Sequence, residues 1–380
     1  MDFAFTAEQL QFKSQVLKFA KKEIVPRVRE HELNSTFDFE SWRKLGEFGL
    51  LGLHFPEEYG GSGADVITSV LAGEALGEAG VDAGLTLSLG AHTYLCTDTI
   101  FTHGNEEQRR KYVPKLARGE WIGCMGLTEP GAGSDVASLK CRAERVDGGW
   151  LLNGNKMFIT NGSIADVAVI YAKSDPEGGH AGISGFIVEK GTPGFSVSRN
   201  LHKICVRTSM TSELVFEDCF IPEANLLGPE GAGFMMAMQT VEWDRSALLA
   251  PFLGGMQFVM EKCVRYAQER VQFGKPIAAF PAIKQKIANV KIVLEAARPL
   301  VYRIAWCKDQ GRPMSHLEAA VAKLFIGEWS LGPLNDAMML HGGYGLCHEY
   351  DVERVFRDSR LAPVGGGTSD IQKMIISKLM

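Results

Sequence analysis

Several absences narrow the possibilities before any motif is read. The eight cysteines stand at 96, 124, 141, 205, 219, 263, 307 and 347 without one C-x-x-C pair. Neither a disulfide frame nor a zinc site is expected; reduced thiols in a cytoplasmic protein are. No run approaches the roughly 18 apolar residues of a membrane span. The opening Met1-Asp-Phe-Ala-Phe-Thr6 lacks the basic and apolar blocks of a secretory signal. There is no internal repeat, low-complexity tract or charge block, and a net charge of −5 gives no pull toward nucleic acid or anionic membranes.

What is present is 380 residues, 46% hydrophobic and 22% charged, with 42 Gly. That is enough chain for two or three domains with sizeable cores. Thr6 and Gln9 fit a capping box, and Leu10, Val16, Leu17, Ala20 and Ile24 follow at helical spacing until Pro26. Helical patterns cover about 39–48 and 65–80, a buried helix is expected within 83–101, and an amphipathic one follows to Pro114. From Trp121 the period changes to that of short strands, with Asp147-Gly148 as a hairpin turn. After Gly233 the helical pattern returns: one long helix to about Arg270, then others near 282–308, 315–340 and 368–379. The expected organisation is a helical domain (1–120), a middle β domain (121–232) and a C-terminal antiparallel helix bundle (233–380).

Four stretches could carry chemistry. Thr128-Glu-Pro-Gly-Ala-Gly-Ser-Asp135 follows a short apolar strand and brings bare amides to the surface, which suits a planar or anionic ligand. Taken alone, it is equally an ordinary Gly/Pro turn. Arg270-Val-Gln-Phe-Gly274 sets a guanidinium fork and a carboxamide at a helix end, where pyrophosphate could bind or where a solvated terminus could simply end. His341-Gly-Gly-Tyr-Gly345 reads as a helix C-cap or a ligand turn. Gly365-Gly-Gly-Thr-Ser-Asp-Ile-Gln372 is the last such turn.

Together with Lys156-Met-Phe-Ile-Thr-Asn-Gly162, these stretches resemble the acyl-CoA dehydrogenase family of flavoenzymes over nearly the whole chain. The resemblance implies an α+β fold whose middle domain is a β-barrel or sandwich. It implies FAD beside Leu127, Thr128, Phe158 and Thr160, with Ser134 near the CoA or the flavin and Thr368 touching the flavin. It also implies that Arg270, Gln272 and Phe273 serve the FAD pyrophosphate of a neighbouring subunit in a homotetramer, and that the turn at Met339, Gly342 and Gly343 receives part of the adenine dinucleotide. Phe158 replaces the usual Trp, Pro281 and Met339 stand where members often carry Gln, and Gly366 stands where many carry the catalytic Glu.

With that carboxylate gone, the isovaleryl-CoA-like pattern offers Thr240-Val-Glu-Trp-Asp-Arg-Ser246. Asp244 then takes the base position, Arg245 that of an Arg near CoA, and Glu242 an acidic position near the CoA moiety. A solvated Asp beside Arg is the plain alternative. By the same resemblance, the Gly366 N–H would keep the family's place opposite the thioester carbonyl. The expected activity is dehydrogenation of a short branched or alicyclic acyl-CoA, with electrons passing to an electron-transferring flavoprotein. Alternatives are an acyl-carrier-protein-linked dehydrogenase, an oxidase and a non-catalytic flavin binder. Asp98, inside Tyr94–Phe101, is either a helix-surface carboxylate or a polar feature of the acyl pocket. As a lone buried acid it would suit a second role, 1,4-dehydrogenation of a cyclic enoyl-CoA to a diene.

Overall fold

Thr6 caps the first helix as its spacing predicts. Its hydroxyl accepts the Gln9 N–H, and the Gln9 carboxamide oxygen accepts the Thr6 N–H, both at 3.1 Å. The structure, a computed structural model, describes residues 4–245, 247–312 and 315–380, and the side chains of Glu242 and Asp244 lie outside that description. Helix α1 (Ala7–Phe19) does not end at Pro26. A π-helical turn, Ala20–Ile24, carries the chain into α2 (Val25–Asn34), where Pro26 sits in the first turn. A proline there removes an amide that the helix does not need, so the chain continues instead of stopping. Then come α3 (Phe39–Glu47), α4 (Val66–Ala79), α5 (Ala83–Gly90), α6 (Asp98–His103) and α7 (Glu106–Ala117). A second π-helical stretch, Ala91–Thr97, joins α5 to α6, so the expected buried helix has a wide turn at its centre.

The middle region is a mixed sheet: β1 (Gly123–Gly126), β2 (Arg142–Val146), β3 (Gly149–Thr160), β4 (Val167–Lys173), β5 (Ile183–Glu189), β6 (Phe195–Asn200), β7 (Thr211–Pro222) and β8 (Leu226–Leu227). Their order is β6-β7-β3-β2-β4-β5-β8, with β1 parallel beside β4. The Asp147-Gly148 hairpin forms, pairing Val146 with Gly149. Strand β4 is buried on both faces, which its near-continuous apolar run requires. Ala168 and Ile170 pack with Trp150, Phe186 and Phe216 inside the sheet. Val169 and Tyr171 face the other way, onto Ile100, Tyr112, Leu116 and Met236 of the flanking helices. That second face joins the helical and β regions.

The C-terminal part comprises α8 (Gly233–Asp244), α9 (Ala250–Glu269), a small hairpin of β9 (Val271–Gln272) and β10 (Lys275–Pro276), α10 (Pro281–Asp309), α11 (His316–Trp329), α12 (Leu331–His341), α13 (Val352–Asp358) and α14 (Ser369–Leu379). The single long helix expected from Phe234 to Arg270 is two helices. α8 closes at Asp244, and a 3-10 turn, Ala247–Leu249, leads into α9, whose first turn holds Pro251. Proline has no N–H to extend a preceding helix and is favoured where a new one begins. By length and composition, Ala247–Glu269 could cross a membrane. In this fold it is a core element, with Leu253, Met256, Val259 and Cys263 fully buried.

Three regions meet at a buried polar junction. Arg357 of α13 bridges Glu32 of α2 at 2.7 Å and Glu353 at 2.6 Å. Asp358 accepts the Val206 N–H at 2.7 Å, and Thr208 donates to Asp82, the N-cap of α5.

Candidate active site

Two segments that the resemblance assigns to the flavin are tied to each other from behind. The Thr128 carbonyl accepts the Met157 N–H at 2.8 Å. Beneath them, the Lys156 ammonium donates to Glu129 at 2.7 Å and to the Leu127 carbonyl at 3.1 Å. The Glu129 carboxylate also accepts the Lys140 and Cys141 amides at 2.6 and 2.9 Å. Lys156 is fully buried, so this pair holds only because its lone pairs and protons are matched. With both side chains turned inward, the outer surface is left to Thr128, Thr160 and Phe158.

Phe158 owes its position to a bulge. The register of β3 against β7 shifts between Lys156 and Ile159, and Phe158 takes a φ of +61°. For a bulky residue this is a strained conformation, and it aims the ring outward, 65% exposed between the buried Met157 and Ile159. Asn161, also at positive φ, anchors the end of the strand by donating to the Ser88 and Gly123 carbonyls. Nothing lies within 4 Å of where a Cβ at Gly131 or Gly133 would be. Leu127 is buried at this edge, and Ser134 is exposed beside the open turn. A flat exposed ring, small hydroxyls and an open glycine turn fit a planar, acceptor-rich group such as a flavin.

The glycine loop before α14 is held differently. Gly366 and Gly367 have φ of +65° and +92°, the region where glycine alone is comfortable. The Gly366 carbonyl accepts the Arg245 Nε–H and the Gln372 Nε2–H, each at 3.2 Å. The Gly367 carbonyl accepts Gln372 Nε2–H at 3.0 Å and the Lys323 ammonium. Thr368 caps α14 through the Ile371 N–H, at 3.3 Å. Arg245 is 6% exposed, and its Nε is directed into this loop. The backbone of Asp244 closes α8 immediately before it. The Asp244 and Glu242 assignments fall on side chains outside the described residues.

Asp98 is not the lone carboxylate that its apolar neighbours in sequence suggest. Its Oδ1 lies 3.4 Å from His54 Nε2. Burial resists its ionisation, yet hydrogen bonds from His54 and the Trp243 indole, with the nearby Lys308 charge, hold the carboxyl below its ordinary value. The Lys308 ammonium stands 3.2 Å from the centre of the Trp243 ring. Trp243 stacks on Tyr94 at 5.2 Å, and Tyr94 on His54 at 5.6 Å. The wall beside the end of α8 is therefore aromatic, and a satisfied anion pins it. With these partners, the burial of Asp98 needs no chemical task to account for it.

A second group lies on the outside. The Arg270 guanidinium is 5.8 Å from the Tyr344 ring centre, so the end of α9 and the turn after α12 share one surface. Phe273 is 92% exposed at positive φ, Met339 is 63% exposed, and Gln272 is exposed beside them. Gly342 and Gly343 have nothing within 4 Å of a Cβ position.

Sequence reasoning missed Lys156–Glu129, His54, Lys308, Lys323 and Gln372. Lys323 had a readable signal: it lies in the buried stripe Ala319, Lys323, Ile326, Gly327 of α11, where a cation needs a partner. The partners of Asp98 come from α8, from α10 and from residue 54, and no local pattern announces them.

Three family descriptions match the chain: "Acyl-CoA dehydrogenase, N-terminal domain" over residues 6–120, "middle domain" over 124–219 and "C-terminal domain" over 231–380. An acyl-CoA dehydrogenase of Bacillus subtilis (strain 168) is 43% identical over 375 residues, covering 99% of this chain and 98% of that protein. A mitochondrial isovaleryl-CoA dehydrogenase of Oryza sativa subsp. japonica is 42% identical, over 98% of this chain and 91% of its own length. Among solved structures, butyryl-CoA dehydrogenase from Megasphaera elsdenii superposes with a TM-score of 0.96 at 38% identity, covering 100% of this chain and 99% of that one.

Proposed function

The chain belongs to the acyl-CoA dehydrogenase family, and from that premise we propose that it oxidises a short branched or alicyclic acyl-CoA thioester, with Asp244 as the base. It is a flavin-dependent oxidoreductase with FAD as its cofactor. When bound, the flavin supplies the acceptor for the hydride that leaves the substrate Cβ. Leu127, Thr128, Phe158 and Thr160 hold its ring system, with Ser134 and Thr368 beside it. Arg270, Gln272 and Phe273, with the turn at Met339, Gly342 and Gly343, hold the pyrophosphate and adenine end from the neighbouring subunit of a homotetramer. Electrons then pass to an electron-transferring flavoprotein.

One observation carries the assignment of the base. Arg245, the residue after Asp244, donates to the Gly366 carbonyl at 3.2 Å. The end of α8 and the loop that lacks the usual carboxylate therefore converge, and an acid on one can serve a thioester held by the other. Asp244 removes the α proton, while the Gly366 N–H hydrogen-bonds the thioester oxygen where negative charge develops. Asp is one methylene shorter than Glu, so the substrate Cα must come closer. Gly366 carries no side chain to intrude on a branch or ring, and the Tyr94–Trp243 stack limits depth. These features favour a compact acyl group.

The test is anaerobic bleaching of the bound flavin by a panel of acyl-CoAs. Short branched or alicyclic thioesters should bleach it fastest, and Asp244→Asn should retain flavin and thioester while turnover falls about 10²–10⁴-fold. Near-parental turnover by that variant would place the base elsewhere.

A further inference from the structure

We propose that Lys323 is a positioning residue for the reaction, acting through the Gly366–Gly367 backbone to hold the amide that faces the thioester oxygen. The proposal rests on the reading of Gly366 given above.

Three consecutive glycines, 365–367, form the loop. Glycine has the largest backbone freedom to lose on ordering. A donor aimed at a developing oxyanion is effective only when it is already in place. A run of glycines is a poor way to place one unless something outside the run fixes it.

Side chains from three separate elements do so. Upstream, the Gly365 N–H is tied to the Leu361 carbonyl at 2.8 Å. Downstream, Arg245 from the end of α8 and Gln372 from α14 take the Gly366 carbonyl, and Gln372 with Lys323 from α11 takes the Gly367 carbonyl. The backbone is thus fixed on both sides of Gly366. All three side chains are buried: Arg245 is 6% exposed, Lys323 3% and Gln372 0%. A lysine in the core stripe of α11 is costly to bury, and an apolar residue would pack there more cheaply. Its ammonium reaches the Gly367 carbonyl, the second peptide of the loop. A thioether or alkyl chain at 323 could fill the space but would leave the Gly367 carbonyl to Gln372 alone, loosening the second peptide of the clamp.

Two measurements on the FAD-loaded enzyme separate the clamp from the chemistry. In hydrogen–deuterium exchange, the segment spanning residues 361–371 should be protected in the parent and in Lys323→Arg. It should exchange several-fold faster in Lys323→Met; unchanged exchange there overturns the clamp, whatever the substrate proves to be. In steady state, Lys323→Met should keep its flavin and its KM within about threefold while kcat falls about 10–100-fold, the scale of a misplaced donor. Lys323→Arg should recover most of that loss. A β-ketoacyl-CoA, acetoacetyl-CoA, gives a static readout: its enolate absorbance should titrate at higher pH in Lys323→Met, because the amide no longer meets the oxygen. Faster exchange with unchanged kcat and unchanged enolate titration would leave a structural brace and overturn the positioning role. Should Lys323→Met fail to fold, Gln372→Leu removes donors from the same two carbonyls and is scored by the same measurements. If no acyl-CoA bleaches the parent, the assigned reaction falls, while the exchange result still decides the clamp.

Discussion

The two glycine turns of the C-terminal region look alike in sequence and behave oppositely in structure. His341-Gly-Gly-Tyr-Gly345 presents Gly342 and Gly343 to open space, beside the exposed Met339 and Leu346. Gly365-Gly-Gly-Thr368 is closed from within, its carbonyls taken by Arg245, Lys323 and Gln372. The first turn is held at its start, by Tyr266 on the His341 carbonyl and by the Gly342 N–H on Met339, and leaves its two glycines open to a guest. The second is completed by the chain itself. Glycine clusters therefore have two physical meanings: room for a guest in one case, and a strained backbone shape that the protein enforces in the other.

The contrast can be broken at either end. Gly367→Ala is expected to have the largest effect. Its Cβ would meet Gln372 Nε2 at 2.8 Å and the Arg245 guanidinium at 3.4 Å, on a backbone at φ +92°. We expect kcat to fall by about 10², the cost of displacing a reacting group by about 1 Å, with flavin content intact. Full activity would show that the inner loop tolerates looseness. Arg270→Ala attacks the outer group and should reverse the pattern. Flavin affinity should weaken about 10–100-fold, the range of a lost charge-assisted hydrogen bond, with weaker assembly and near-normal kcat at saturating FAD. Full flavin retention at high dilution would remove Arg270 from the cofactor site. Asp98→Asn is the mildest. The amide oxygen can still accept the Trp243 indole N–H, so turnover should change by less than about fivefold on saturated and ring-unsaturated thioesters alike. A selective loss on the ring-unsaturated substrates would restore Asp98 as a second base.

What could be read from the sequence was what the residues themselves encode locally. The Asp147-Gly148 hairpin, the Thr6 cap and the continuous apolar run of β4 follow from neighbours a few positions apart. The Gly-rich turn at 128–135 and the Arg270 motif were visible as local patterns too, but only the family resemblance assigned them to a flavin. The β3 bulge that turns Phe158 outward was not, because it depends on register against β7, some fifty residues away. The break after Asp244 was masked by continuous apolar periodicity on both sides of it, although Pro251 marked the start of a new helix. Asp98 was misjudged as solitary because His54, Trp243 and Lys308 arrive from three other places in the chain. Local grammar reports which groups are present. Whether a charge is satisfied depends on contacts between distant segments.

The junction of α2, the 203–209 loop and α13 makes the fold a proton-binding body in its own right. Burial, with the charges of Glu32 and Asp82, pushes the Asp358 carboxyl up to about 7, against the pull of Arg354 and the Val206 amide. In the unfolded chain the same carboxyl titrates near its ordinary value of about 3.9. Between those two values the folded molecule retains a proton that the unfolded chain has released. This contribution to stability is complete below about pH 4 and is lost as the pH rises toward 7. The proton thus acts as a ligand shared by three structural regions. Urea midpoints measured from pH 5 to 8 should carry this falling component, and Asp358→Asn, which keeps an acceptor for Val206, should remove it. An identical slope in the variant would mean that the proton is held elsewhere.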